Sequence, residues 1–269
     1  GALQCAKGTL KFTDMEQLEK LYVCFQLENG AILYFDNSKP FELFAVVEGK
    51  RVNADLILLE GEYDCSFKGT IANNAYFSTH ENKFKNIRFF KVTIQENEVK
   101  MEQINELKTS DLIPFDNEPM YFTEESYHYI LYQYHENYEK EDGETFDIDE
   151  IRSISKYDVH YHRGMLYFFR GNSEPTLYMT NNKVVIVEGP VLDGTLSFYT
   201  PPHSDCIIVA NANQNVLLIL NTTNLDVSQQ TYEPPFESAY HSIVGVHEGI
   251  LTMAFEGKGV GRCLMTTKL

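Results

Sequence analysis

Between Asp158 and Glu188 the apolar and aromatic residues fall into four short runs: Asp158–His162, Met165–Arg170, Thr176–Thr180 and Lys183–Glu188. Arg163-Gly164, Gly171-Asn172 and Asn181-Asn182 separate them. Runs rich in β-branched and aromatic residues, broken by turn-forming pairs, predict a four-stranded antiparallel meander. The pattern returns at once in Thr195–Tyr199, Asp205–Ala210, Val216–Leu220 and a more polar run from Leu225 to Tyr232. Continuous apolar runs suit strands buried on both faces, and a polar last run suits an exposed edge.

After the Pro-Pro break at 234–235, His241–Val246, Ile250–Phe255 and Arg262–Lys268 predict three more strands. This unit is one strand short, and Gly8–Phe12 is the expected donor, pairing the two ends of the chain. Earlier sequence divides into Leu21–Phe25, Ala31–Phe35, Phe41–Val47 and Asp55–Glu60, then Asp64–Thr70, Ala75–Thr79, Ile87–Gln95 and Glu98–Ile104. A further unit spans Pro119–Thr123, Tyr127–His135, an acidic stretch and Ile151–Lys156. The expected helix is Thr13–Leu21, where Thr13 and Glu16 have the spacing of a capping box.

About six units of roughly 40 residues match four-stranded blades. The pattern therefore predicts an all-β chain forming one domain over residues 1–269. The expected architecture is a β-propeller of about six four-stranded antiparallel blades, closed by N- and C-terminal strands. Five or seven blades are near variants, and two β-sandwich domains are the alternative.

Composition narrows the partners. A chain of 269 residues with 43% hydrophobic residues has enough apolar content for a folded core. It lacks Trp, so no Trp-Asp repeat signature is present. The formal net charge of −17 repels phosphate backbones and anionic membranes and attracts basic peptides or protein surfaces. No apolar run reaches the length of a membrane span. The 5 Cys are widely spaced and do not form close metal-binding pairs. They read as reduced thiols of an intracellular protein, cytoplasmic or nuclear, while an N-x-Thr match at Asn221 leaves a secreted origin open. The sequence starts without Met, which suits a portion of a larger assembly subunit.

Candidate chemistry is sparse. Alternation along a strand sets Asp158, His160 and His162 on one face, where two imidazoles and a carboxylate would suit a cation. Gly164-Met165 stands where a metallo-β-lactamase would need Asp-His, and Leu166-Tyr167 where a cupin would need Glu. With no fourth ligand in view, a solvated strand face is the leading reading and a metal-assisted hydrolase the alternative. No Ser lies in a nucleophile elbow. Gly257–Gly261 lacks the following helix that a phosphate loop needs, so a hairpin turn is expected there. No resident cofactor is expected.

The segment from Tyr121 to Glu150 carries the recognition expectation. Its Tyr residues combine apolar area with a hydroxyl, and residues 135–150 follow with eight carboxylates against one Lys. The carboxylates do not align with a calcium-loop pattern. Tyr127, Tyr129, Tyr132, Tyr134, Glu136, Glu139, Glu141, Asp142, Glu144, Asp147, Asp149 and Glu150 are the candidate surface for a partner protein or basic peptide. The predicted function is a noncatalytic interaction scaffold.

Overall fold

The computed structural model describes residues 8–19, 21–36, 42–54, 62–71, 74–81, 88–95, 98–104, 120–122, 127–129, 137–139, 145–147, 157–162, 165–170, 176–180, 184–188, 196–201, 204–238 and 240–269. Side-chain surroundings are described mainly for 8–54, 90–103 and 196–269. Among the described residues all regular structure is β, arranged in several sheets.

Two short strands open the chain, β1 (Leu10–Lys11) and β2 (Thr13–Gln17). A four-stranded antiparallel sheet follows, made of β3 (Leu21–Gln26), β4 (Ile32–Asp36), β5 (Glu42–Val47) and β6 (Lys50–Ala54). The next contains β7 (Glu62–Ile71), β8 (Asn74–Glu81), β9 (Arg88–Gln95) and β10 (Glu98–Ile104). Two hairpins come after it: β11 (Met120–Phe122) with β12 (Tyr127–Tyr129), and β13 (Asn137–Glu139) with β14 (Thr145–Asp147).

The meander read between 158 and 188 is present as β15 (Tyr157–His162), β16 (Met165–Arg170), β17 (Thr176–Thr180) and β18 (Val184–Glu188). Beyond it lie β19 (Leu196–Tyr199), β20 (Cys206–Asn211), β21 (Val216–Asn221) and β22 (Val227–Glu233). The last strands are β23 (Tyr240–His247), β24 (Ile250–Gly257) and β25 (Gly261–Lys268). Gly257–Gly261 is the expected hairpin turn, with Val260 N donating to Gly257 O.

The N-terminal segment departs from its expected assignments. Thr13–Leu21 contains strand β2, antiparallel to β25, where a helix was expected. The capping-box signal is local and weak. The unpaired backbone edge of β25 offers the segment a ladder that an isolated short helix cannot match. Gly8–Phe12 was expected to complete the last sheet, but β1 instead pairs parallel with β22, and β2 supplies the missing fourth strand. In the first full sheet the fourth strand is Lys50–Ala54, ahead of the expected Asp55–Glu60 run, which lies outside the described residues.

Alternation along the strands gives both faces of several sheets a core. On β20 and β21, Cys206, Ile208, Ala210, Leu217 and Ile219 join Ile243, Leu251, Met253, Phe255, Cys263 and Met265 of the final sheet. The intervening residues Ile207, Val209, Leu218 and Leu220 enter a separate cluster. On the final sheet, Val244 and Leu264 point the other way and pack with Tyr34 and Phe44. Across the β3–β6 sheet, Leu33, Phe35, Leu43 and Ala45 pack with Ala75, Phe77, Val92 and Ile94. Four consecutive sheets thus stack face to face, burying apolar side chains at each interface, which is the main favourable term in holding them together.

Candidate functional site

The first strands of three sheets lie together. β23 runs beside β19 on one side and β3 on the other. Ile243 N donates to Ser197 Oγ at 3.0 Å, and Tyr199 OH donates to Val246 O at 3.5 Å. On the β3 side, a methyl group added at Gly245 would sit 2.6 Å from Gln26 Cβ, so glycine is what permits the approach. The register shift between Ile243 and Gly245 places that glycine at the contact.

The candidate metal residues occupy the corresponding strand of their own sheet. Asp158, His160 and His162 lie on β15, opposite Phe169, Tyr167 and Met165 of β16. They stand at alternate positions of that strand. The surroundings of their side chains lie outside the described residues.

The acidic, Tyr-rich segment contains more regular structure than a loop. Tyr127 and Tyr129 lie on β12, opposite Phe122 and Met120. Glu139 is on β13 opposite Thr145, and Asp147 is on β14 opposite Asn137. β12 lies beside β13, so the Tyr-bearing and carboxylate-bearing hairpins are neighbours. Tyr132, Tyr134, Glu136, Glu141, Asp142, Glu144, Asp149 and Glu150 lie outside the described residues.

A polar constellation not anticipated from sequence sits between the last two sheets. Tyr232 OH lies 2.6 Å from His241 Nδ1, and His241 Nε2 lies 3.0 Å from Ser238 O. A carbonyl can only accept, so Nε2 carries the proton and Nδ1 accepts from the Tyr232 hydroxyl. Ser238 Oγ accepts from Tyr240 N and Glu256 N at 3.3 and 3.2 Å, holding the entry to β23. Tyr232 and His241 are both buried, and Phe255 packs edge-on against the His241 ring at 5.1 Å between centroids.

Burial lowers the His241 pKa from its ordinary value, partly opposed by its backbone bond to Ser238. Burial also raises that of Tyr232. Both effects favour neutral groups. With both ring nitrogens engaged by protein partners, His241 acts as an internal brace. A polar residue ending one strand-like run and a His opening the next was the available sequence signal. Neither has the local spacing of a motif.

No protein-family model matches the chain, and the comparison with curated proteins also found no match. Solved structures that align with it include a catalytically inactive virginiamycin B lyase from Staphylococcus aureus with quinupristin, at 10% identity and TM-score 0.44, covering 95% of this chain and 99% of that one. A streptogramin B lyase aligns at 10% identity and TM-score 0.48, covering 95% and 87%. Kluyveromyces lactis Hsv2 aligns at 7% identity and TM-score 0.43, covering 92% and 72%. Likeness at this level identifies no family, and the architecture rests on strand order and packing.

Proposed function

We propose that the chain is a six-bladed β-propeller that serves as an intracellular, noncatalytic scaffold for a basic peptide or a basic face of a partner protein. The observation supporting the architecture is the alternation of single strands between two core clusters, so that successive sheets stack in chain order. On this reading the neighbouring hairpins β11–β12 and β13–β14 belong to one unit between β10 and β15, and the pairing of β2 with β25 supports a four-stranded last unit. Free buried Cys206 and Cys263 accord with a reducing compartment.

Recognition is assigned to the Tyr- and carboxylate-bearing hairpins around Tyr127–Asp147. Tyr supplies apolar area with a hydroxyl, while the net charge of −17 steers basic partners by a field that salt screens. The same surface suits docking into a larger assembly. Fluorescence polarisation with a Lys/Arg-rich peptide tests this reading. Glu139→Lys with Asp147→Lys is expected to weaken binding at least tenfold at low salt with little change in melting temperature. Unchanged affinity refutes the assignment.

A second reading is a metal-assisted hydrolase at Asp158, His160 and His162. Its support is the position of β15 as the first strand of its sheet, the same rank as β3, β19 and β23.

A further inference from the structure

Residues 8–17 lie across the outer edges of two neighbouring sheets. β1 pairs with β22 at Leu10↔Tyr232 and Lys11↔Glu233, and Thr9 Oγ1 lies 3.2 Å from Thr231 Oγ1. Phe12 then packs edge-on against Tyr232 and Phe255, with centroids 5.9 and 5.0 Å away, at the seam between the sheets. β2 follows on the edge of β25 through Thr13↔Thr266, Glu16↔Leu264 and Gln17↔Cys263. Leu18 N donates to Arg262 O at 2.9 Å, and Leu18 is buried.

We propose that residues 8–17 form an exchangeable strap, and that the edges they cover on β22 and β25 also accept the strap of a second copy of this chain. The occupant follows from complementarity already present: the same sequence seated on the same two edges fits equally well when it comes from another molecule. Attachment is light compared with the inner strands. β1 supplies two paired residues, the β2 ladder is interrupted between Thr13 and Glu16, and all five β2 residues are exposed. Leu10 and Phe12 provide the apolar anchors.

The hinge is also defined. Leu18 remains in the core with Tyr34, Phe44, Val244 and Leu264. Beyond it, Leu21 N donates to Leu18 O at 2.9 Å in a turn in which Glu19 has φ of 51°. That turn stays closed as the strap lifts ahead of Leu18, while Asp14 inside the strap has φ of 57°. A non-glycine residue in the left-handed region costs ~1–2 kcal/mol, so lifting the strap relieves a local penalty. In the closed chain the strap competes at an effective concentration on the order of mM. Exchange is therefore expected at high protein concentration, or when mild denaturant opens the strap.

The experiment uses Thr13→Cys and Thr266→Cys, whose Cα positions are register partners. The double variant in one chain tests the chemistry by forming an intrachain disulfide. The two single variants are then mixed at about 1 mM, in urea below the unfolding transition, and oxidised, with each single variant alone as background. The proposal expects a covalent heterodimer joined through 13 and 266, identified by peptide mass mapping and reduced at least fivefold by excess synthetic peptide 8–18. An intrachain bond in the double variant without that interchain bond in the mixture overturns it. A dimer seen by light scattering without the 13–266 bond also overturns it, because another surface then joins the copies.

Discussion

Replacing Tyr232 by Phe removes one oxygen and leaves the ring in place, which isolates the hydroxyl's contribution to the brace between the last two sheets. In the native protein that hydroxyl donates to His241 Nδ1 at 2.6 Å, while Nε2 is committed to Ser238 O. The variant leaves a buried acceptor without a donor, at a cost of about 1–3 kcal/mol. For a chain of this size, each kcal/mol corresponds to about 2–4 °C in melting temperature. A loss of about 4–8 °C is expected for a 2 kcal/mol effect. His241→Leu alone and combined with Tyr232→Phe completes a double-mutant cycle, whose expected coupling is about 1–2 kcal/mol. Additive single effects, or a Tyr232→Phe melt matching wild type, refute the hydrogen-bond account.

The same group makes stability depend on pH with a definite sign. Burial lowers the His241 pKa below 6.5, so the unfolded chain takes up this proton at higher pH than the folded chain. The stabilisation is complete above pH 6.5 and is lost as pH falls through the lower folded value. Denaturant titrations of wild type and His241→Leu across pH 7.5 to about 5 are expected to converge at the acidic end. Parallel curves would show that His241 does not carry this proton linkage.

Gly30 has φ of 87°, and an added methyl would lie 2.7 Å from His247 Nε2, whereas Gly49 has φ of 77° and open space around it. Gly30→Ala should therefore lose more stability in urea than Gly49→Ala, the latter by about 1 kcal/mol. Equal losses would contradict the placement of the His247 ring. Cys206 and Cys263 are buried with thiol pKa values raised by burial; both should resist alkylation in the native protein and react fully in denaturant, as mass mapping would show. The hydrolase reading expects stoichiometric zinc or manganese by elemental analysis and its loss in His160→Ala; metal-free protein rejects it.

Strands were legible where the sequence pattern itself encoded their partners. The runs at 158–188 carry turn pairs between apolar segments, and consecutive pairing satisfies them locally, so β15–β18 could be read directly. Thr13–Gln17 could not, because its partner is β25 at the far end of the chain and its local signals favour a helix. Site residues divide in the same way. Asp158, His160 and His162 are visible through their spacing, while Tyr232, Ser238 and His241 converge only when one sheet stacks on the next.

Thr266 Oγ1 meets Asp14 Oδ2 at 3.4 Å across 252 residues of sequence. A ribosome adding ~5–20 residues per second would release one partner tens of seconds before the other. During synthesis, the early segment must wait in an extended or transient state while the intervening sheets form. The last sheet then assembles in a final step whose speed is set by loop closure rather than by local propensity. Until that step, the nascent chain leaves Leu10, Phe12 and the bare edge of β22 exposed, making it most dependent on chaperones just before this sheet closes.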